Sequence, residues 1–379
     1  MIYLDNNATT RPASEVIAAV AKMLEADWAN PSSVHGWGQA AARAVSMARE
    51  EVASLINASP DQVVFTSGAT EANDGILRHH AARGADLITS AAEHPAVTGF
   101  FLRNIPARVH LIPVDSMGRW RIEVLESVLD GMASPSLVAL AWSNGETGVL
   151  QDVSEISTLA HTHGATCLID ASQAVGRHEI DVSALNTAYL TFSGHKFHGP
   201  KGIGVLVQPR SGQPTGLAVG GGQENGRRGG TENVPGIVGM GAACKLRRNN
   251  FEKSLVHLVK LRDSFEAMIL NASLGAKING ANVDRVPNTS NMTFPGIDGI
   301  ALVARLEARG ILCSQVSACS SGNPEPSRTL LAMGRSREEA FASVRFAVSV
   351  DNTTEEIDAA AQGVVEEVRF LREMMGGLV

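Results

Sequence analysis

Lys196 stands where a lysine has a chemical use beyond solubility. It closes Ser193-Gly194-His195-Lys196, after the apolar run Ala188-Tyr189-Leu190-Thr191-Phe192 and before Gly199-Pro200-Lys201-Gly202. The run reads as a buried strand and the glycine-proline segment as a turn. An amine at the end of a buried strand can lose its charge on desolvation and attack a carbonyl to form a Schiff base. Pyridoxal phosphate (PLP) is the commonest partner for such a lysine.

Three other segments could serve that cofactor. Asp170 ends the apolar stretch Thr166-Cys167-Leu168-Ile169 and is followed by Ala171-Ser172-Gln173. PLP needs an acid beside its ring nitrogen to keep it protonated, although an aspartate there could equally cap a helix. Thr66-Ser67-Gly68-Ala69-Thr70-Glu71 ends one strand and opens a helix. Free amides at such a helix start suit a phosphate; Ser67 or Thr70 could instead simply cap the helix, with Glu71 in its first turn. His94, in Ala92-Glu93-His94-Pro95, could stack on a ring or carry protons, and His195 could reach a phosphate.

Apolar strands and amphipathic helices must alternate to place these residues together. Strands are expected at Val63–Thr66, Asp86–Thr89, Val109–Ile112, Leu137–Trp142, Thr166–Asp170, Ala188–Phe192 and Gly204–Val207. Helices are expected at Ala13–Ala26, Gln39–Ile56, Thr70–Ala82, Ile122–Gly131 and Val153–His163. This alternation predicts an α/β fold with a mainly parallel sheet flanked by helices. Ligands then bind at the carboxyl ends of the strands. After about Cys244 the texture changes. A polar helix (Asn250–Ile269), short strands (Ser290–Phe294, Ile311–Ser314) and helices Ser336–Phe341 and Thr354–Met374 predict a smaller α+β domain. The expected division is 15–248 for the large domain and 1–14 plus 249–379 for the small one.

The 379 residues suit two domains, or one large domain with an appendage, and the net charge of −7 argues against direct nucleic-acid binding. No apolar run is long enough to span a bilayer, and no secretory signal is visible, so membrane attachment is not expected. The four cysteines (Cys167, Cys244, Cys313, Cys319) have neither zinc-like spacing nor a disulfide framework. A reducing cytoplasm is the expected compartment, and no metal site is expected.

The chain resembles the PLP-dependent cysteine desulfurases of the NifS/IscS group, within the class V aminotransferase family. The resemblance begins at Tyr3-Leu4-Asp5-Asn6-Asn7-Ala8-Thr9-Thr10 and continues through Asn30-Pro31-Ser32-Ser33-Val34-His35, Thr66–Asn73 and Glu93-His94. It runs on through Gly145-Glu146-Thr147-Gly148, Asp170-Ala171-Ser172-Gln173, the lysine motif, Gly220–Glu224 and Gly230-Thr231-Glu232-Asn233. It closes at Ser317-Ala318-Cys319-Ser320-Ser321-Gly322 and Glu325-Pro326-Ser327. It implies the type I PLP-transferase fold with a seven-stranded sheet.

The same resemblance assigns roles. Lys196 would hold PLP and carry protons, Asp170 would pair with the ring nitrogen, Gln173 would contact the ring hydroxyl, and His94 would stack on the ring. Ala69, Thr70, Ser193 and His195 would hold the phosphate. Thr231 would reach the phosphate of a partner subunit, which implies a homodimer with shared sites. Arg345 would grip the substrate carboxylate. Cys319 would take sulfur from L-cysteine as a persulfide, leaving L-alanine, and pass it to a sulfur-acceptor protein for iron–sulfur cluster, thio-cofactor or tRNA biosynthesis.

The pattern is broken at Asn144-Gly145-Glu146, where the family commonly has paired asparagines. Gly145 cannot contact the ring hydroxyl and substrate carboxylate, which leaves Asn144 as the candidate substitute. Asn225 replaces a frequent arginine, and Val316 would stiffen the base of the Cys319 loop. Gly145 keeps open a selenocysteine lyase or another class V lyase or aminotransferase. A non-catalytic PLP-binding scaffold is a further reading, though it would need none of Lys196, Asp170, His94 and Cys319.

Overall fold

The structure, a computed structural model, describes residues 1–104, 109–132, 135–185, 188–210, 216–315 and 325–376. In chain order its elements begin with β1 (Ile2–Tyr3), α1 (Ser14–Glu25), α2 (Gly36–Leu55), β2 (Val63–Thr66), α3 (Ala69–Ala82), β3 (Asp86–Thr89), α4 (Pro95–Asn104), β4 (Val109–Leu111), α5 (Ile122–Asp130) and β5 (Ser136–Ala141). There follow α6 (Val153–Thr162), β6 (Thr166–Asp170), β7 (Ala188–Ser193), β8 (Gly204–Val207), α7 (Val234–Asn249) and α8 (Phe251–Asn271). The last are β9 (Lys277–Ile278), β10 (Thr289–Thr293), α9 (Gly299–Ala308), β11 (Ile311–Leu312), α10 (Arg328–Ala332), α11 (Arg337–Phe341), β12 (Ser343–Ala347) and α12 (Thr354–Gly376).

The main sheet has seven strands in the order β2-β8-β7-β6-β5-β3-β4. All its pairings are parallel except those of β8, which runs antiparallel to both β7 and β2. Strands β5 to β8 are almost continuously buried, as a sheet covered by helices on both faces requires. One apolar cluster beneath this sheet gathers Val45, Ile88, Leu140, Ile169, Phe192 and their neighbours. A second, on the other face, includes Val64, Ile76, Leu87, Leu137 and Leu206.

A separate apolar cluster is built from Leu4 and from Leu258, Phe265, Leu302, Phe346, Val364 and other residues late in the chain. It packs α8, α9 and α12 on the antiparallel sheet β12-β10-β9. Strand β1 pairs in parallel with β11, so the first residues of the chain join its last third. This tie carries Asp5, Asn6 and Asn7 to the mouth of the main sheet.

The strands of the main sheet fall within one residue of their sequence-based limits. Helix α7 was not foreseen, and its Gly236, Gly239 and Gly241 explain why: glycine weakens a helix by about 1 kcal/mol relative to alanine. Here the missing side chains serve packing. A Cβ on Gly239 would lie 2.5 Å from Pro200 and 2.7 Å from Val20, and one on Gly241 would lie 2.7 Å from the backbone of Ala48. The close contact of α7 with α1 and α2 outweighs the propensity.

Candidate active site

The lysine turn is drawn against the start of α3 by two glycines. A Cβ on Gly204 would lie 2.5 Å from Gly68 Cα, so the two backbones touch. That contact sets α3 beside the end of β7. The expected cap is therefore replaced: Gly68 is the N-cap, and Ser193 Oγ, from β7, accepts the Ala69 N–H at 2.8 Å. Ser67 instead donates its N–H to Glu71 at 2.9 Å, and Arg228 holds the same carboxylate. Thr70 is exposed at this helix start. His195 Nδ1 lies 3.1 Å from Thr9 Oγ1. Burial first, then Lys196, Lys201 and Arg177, push the imidazole down to about 4, so it is neutral near pH 7.

Lys196 follows β7 in a 3₁₀ turn, Gly194–Lys196. Its Nζ donates to the carbonyls of Asn7 (2.7 Å) and Ala8 (2.9 Å). Burial lowers the amine to about 8, aided by Arg177 and Arg345 and opposed by Asp170 and Asp5. Asp170 is buried at the end of the adjacent strand, β6. Its Oδ2 accepts from Asn73 Nδ2 at 2.8 Å and its Oδ1 from the Ser172 N–H at 2.9 Å. Thr191 Oγ1 in turn donates to Asn73 Oδ1 at 2.7 Å, which fixes the amide's orientation.

Gln173 donates to the Asn7 carbonyl at 3.0 Å and accepts from Arg177. Arg177 also donates to the carbonyls of Asn6 (3.1 Å) and Lys196 (2.8 Å), tying the lysine turn to the N-terminal segment. His94 lies exposed just before α4. Its Nδ1 accepts the Ala96 N–H at 3.0 Å, so the neutral ring carries its proton on Nε2. The surrounding protein lowers its basicity; Asp170 opposes this and Lys196 adds to it.

The three-stranded sheet β12-β10-β9 contributes Arg345 from β12. Its Nη2 donates to Asp5 Oδ1 at 2.7 Å and its Nη1 to the Gly145 carbonyl at 3.1 Å, while Nε has no partner among the described residues. Asn144 is engaged at both ends of its amide: Nδ2 donates to the Ala92 carbonyl at 3.0 Å, and Oδ1 accepts from the Glu146 and Thr147 amides. A Cβ on Gly145 would lie 3.6 Å from Gln173 Nε2, an ordinary contact. Ser327 donates to Glu146, whose carboxyl is raised mainly by burial. Cys319 lies outside the described residues. Cys167 and Cys244 are buried, and burial pushes Cys313 up to about 12, so the thiol is protonated at neutral pH. Thr231 is exposed on the surface.

Sequence reasoning did not single out Asn73, Arg177 or Glu93 as site residues. Asn73 lies one helical turn beyond Ala69, so helical spacing was a signal there; Arg177 lies in a turn segment after Gln173, where no periodic pattern marks it. Glu93 accepts from Trp120 Nε1 at 3.1 Å and from the Ala141 N–H at 2.7 Å, and burial raises it to about 8. Nothing in its sequence surroundings marks that pair of donors.

The donor set fits PLP. A weakened amine in the turn after β7 stands near a buried, fixed carboxylate at the end of the neighbouring β6, and a pocket at the α3 N-terminus is lined by Thr9, Gly68, Thr70, Ser193, His195 and Lys201 among others. That pocket offers hydroxyls, an imidazole and a lysine to an anion, and the Glu71 carboxylate at its edge is paired with Arg228.

The aminotransferase class-V family model matches residues 2–360. A cysteine desulfurase from Nostoc sp. is 38% identical, with 99% of this chain and 94% of that protein covered. A solved NifS-like protein superimposes with a TM-score of 0.90 at 34% identity, over 98% of this chain and 100% of that one. The structure of SspA in complex with cysteine superimposes with a TM-score of 0.77 at 31% identity, over 92% and 99% of the two chains.

Proposed function

This chain belongs to the aminotransferase class-V family, and from that premise we infer that it is a cysteine desulfurase, converting L-cysteine to L-alanine with sulfur leaving as a persulfide on Cys319. The observation that carries the reading is the convergence of three groups on one cleft. Lys196 and Asp170 end adjacent strands of the large sheet, and Arg345 reaches the same loop system from the small domain.

PLP, when bound, supplies an electron sink for the charge left at the substrate Cα. Asp170 would keep the ring nitrogen protonated, and Asn73 and the Ser172 amide hold that carboxylate in place. Ser193, His195, Thr70 and Ala69 would hold the phosphate, the Ala69 amide through the Ser193 hydroxyl that it binds. Gln173 would contact the ring hydroxyl, and His94, its proton on Nε2, would stack on the ring.

Lys196 removes the Cα proton. With the amine lowered to about 8, a substantial fraction is neutral near pH 7.5 and able to act as a base. Arg345 binds the substrate carboxylate with a guanidinium already fixed by Asp5 and Gly145, so little side-chain freedom is lost on binding. Asn144 holds its loop through Ala92, Glu146 and Thr147 and so sets the position of the Gly145 carbonyl.

The Cys319 thiolate forms an S–S bond to the substrate sulfur as the Cβ–S bond breaks. The electron pair stays on carbon, protonation yields the alanine methyl group, and no external oxidant or reductant is required. The persulfide then passes to an acceptor protein. A homodimer with shared sites belongs to the same proposal; exposed Thr231 and the exposed apolar group Trp28, Val34 and Trp37 support it. No helix among the described residues is long and apolar enough to cross a membrane. The buried, unpaired Cys167 and Cys244 support a reducing, cytoplasmic setting.

The test is incubation of the holoprotein with L-cysteine, with alanine and protein persulfide measured. Cys319→Ala is expected to abolish persulfide formation while the visible cofactor band remains. A fully active variant removes Cys319 from the reaction. Rapid transamination without sulfur release rejects the desulfurase in favour of an aminotransferase.

A further inference from the structure

Two buried guanidiniums lie behind Lys196 without a counter-charge. Arg177 and Arg247 are only 6% and 5% exposed. Arg177 directs its N–H groups at neutral acceptors: Gln173 and the carbonyls of Asn6 and Lys196. Arg247 Nε has no hydrogen-bond partner among the described residues. Among the described residues neither guanidinium has a carboxylate within ion-pair distance. Asp351, whose field Arg247 feels, is itself largely exposed and lies 3.6 Å from His198 Nδ1.

Both arginines line one cavity between the domains, together with Asn6, Lys196, His198 and Asn288. Val348, Ser349 and Val350 of the small domain close its other side. The arginine stem is fixed: a Cβ on Gly176 would lie 3.3 Å from Arg247 Cδ. The centre of a water-sized sphere has about 20 Å³ in which to move, enough for one small occupant.

A buried cation without a partner is costly, and two side by side repel each other. Each depresses the basicity of its surroundings: burial lowers Arg247 to about 10, and burial and then Arg247 lower Arg177 to about 9. The facing groups are Arg177, Arg247, Lys196 and a His198 that burial holds neutral near pH 7, with Asp351 at the edge. No acid lines the cavity. A water would satisfy the orphaned N–H but leave the charge uncompensated.

We propose that this cavity binds one halide-sized monovalent anion, with Arg247 and Arg177 as its cationic walls and the two domains closing over it. The anion would neutralise the cluster and join the large sheet to the Val348–Val350 segment. The proposal rests on charge and geometry and is independent of the reaction the cleft carries out.

The probe is bromide. Holoprotein exchanged into sodium gluconate is titrated with sodium bromide at constant ionic strength, and crystals grown in bromide are measured at the bromine absorption edge. An anomalous peak within hydrogen-bond distance of the Arg247 guanidinium, with a saturable rise in Tm of about 2 °C or more, supports the site. Arg247→Leu is expected to lose both the peak and the thermal response. A cavity without a bromide peak, or a Tm identical in gluconate and bromide, overturns it. Should Arg247→Leu fail to fold, the two measurements on the unaltered protein decide alone.

Discussion

Lys196 Nζ lies 2.7 Å from the carbonyl oxygen of Asn7, so a neutral backbone group, and no carboxylate, holds the reactive amine. A carbonyl satisfies an N–H without compensating a charge. With Arg177 and Arg345 close by, the amine is poised to be neutral. The N-terminal segment, tied to the last third of the chain through β1 and β11, thereby takes part in setting the chemistry at the end of the seven-stranded sheet.

The first expectation concerns that amine. In cofactor-free protein, modification of Lys196 by an amine-directed acylating reagent should rise with a midpoint near pH 8, well below the ordinary lysine value. Peptide mapping across a pH series reads it. A midpoint near 10.5 would remove the proposed base from its working range.

Glu93 makes a prediction about stability. Its carboxyl is raised to about 8 by burial, against an ordinary value of 4.5. The folded state therefore binds the extra proton between roughly pH 4.5 and 8, and the stability linked to that proton is lost as pH rises through 8. Glu93→Gln keeps an acceptor for Trp120 or Ala141 and cannot ionise. Relative to the unaltered protein it should gain stability between pH 6 and pH 9 in urea titrations. A pH-independent difference between the two proteins contradicts a protonated Glu93.

Arg345→Lys should act on substrate binding. Lysine cannot hold Asp5, the Gly145 carbonyl and a carboxylate with one planar fork. Loss of one charge-assisted bond, about 1.5–3 kcal/mol, corresponds to a rise of roughly 10- to 100-fold in KM for L-cysteine, with a smaller effect on kcat. An unchanged KM would place the substrate carboxylate elsewhere.

Helix α7 gives a prediction of sign. At an open helix site Gly→Ala stabilises by up to about 1 kcal/mol. For Gly241→Ala the new methyl would meet the Ala48 backbone at 2.7 Å, so a destabilisation of about 1–3 kcal/mol is expected instead. Chemical denaturation distinguishes the two signs directly.

The same helix shows where the sequence was opaque. Strands β2, β3, β5, β6, β7 and β8 were legible because each is a short apolar run bounded by turn residues, and burial on both faces leaves no alternation to misread. Helix α7 was not, because its glycines report packing against Pro200 and Ala48, residues far away in the chain. Strand β12 was missed because Arg345 interrupts a short apolar segment, although that arginine is buried by its bonds to Asp5 and Gly145. In the candidate site, Lys196 and Asp170 stood out as polar residues ending apolar strands. Asn73, Arg177 and Glu93, which hold the cleft in shape, did not. Their partners come from other elements, and hydrogen bonds between distant segments leave no local pattern in a chain.

The most direct measurement is borohydride reduction of the purified protein loaded with pyridoxal phosphate, followed by peptide mass mapping. The account predicts a single reduced pyridoxyl adduct on Lys196, absent from Lys196→Ala. An adduct on neighbouring Lys201 instead, or none on Lys196, would contradict it.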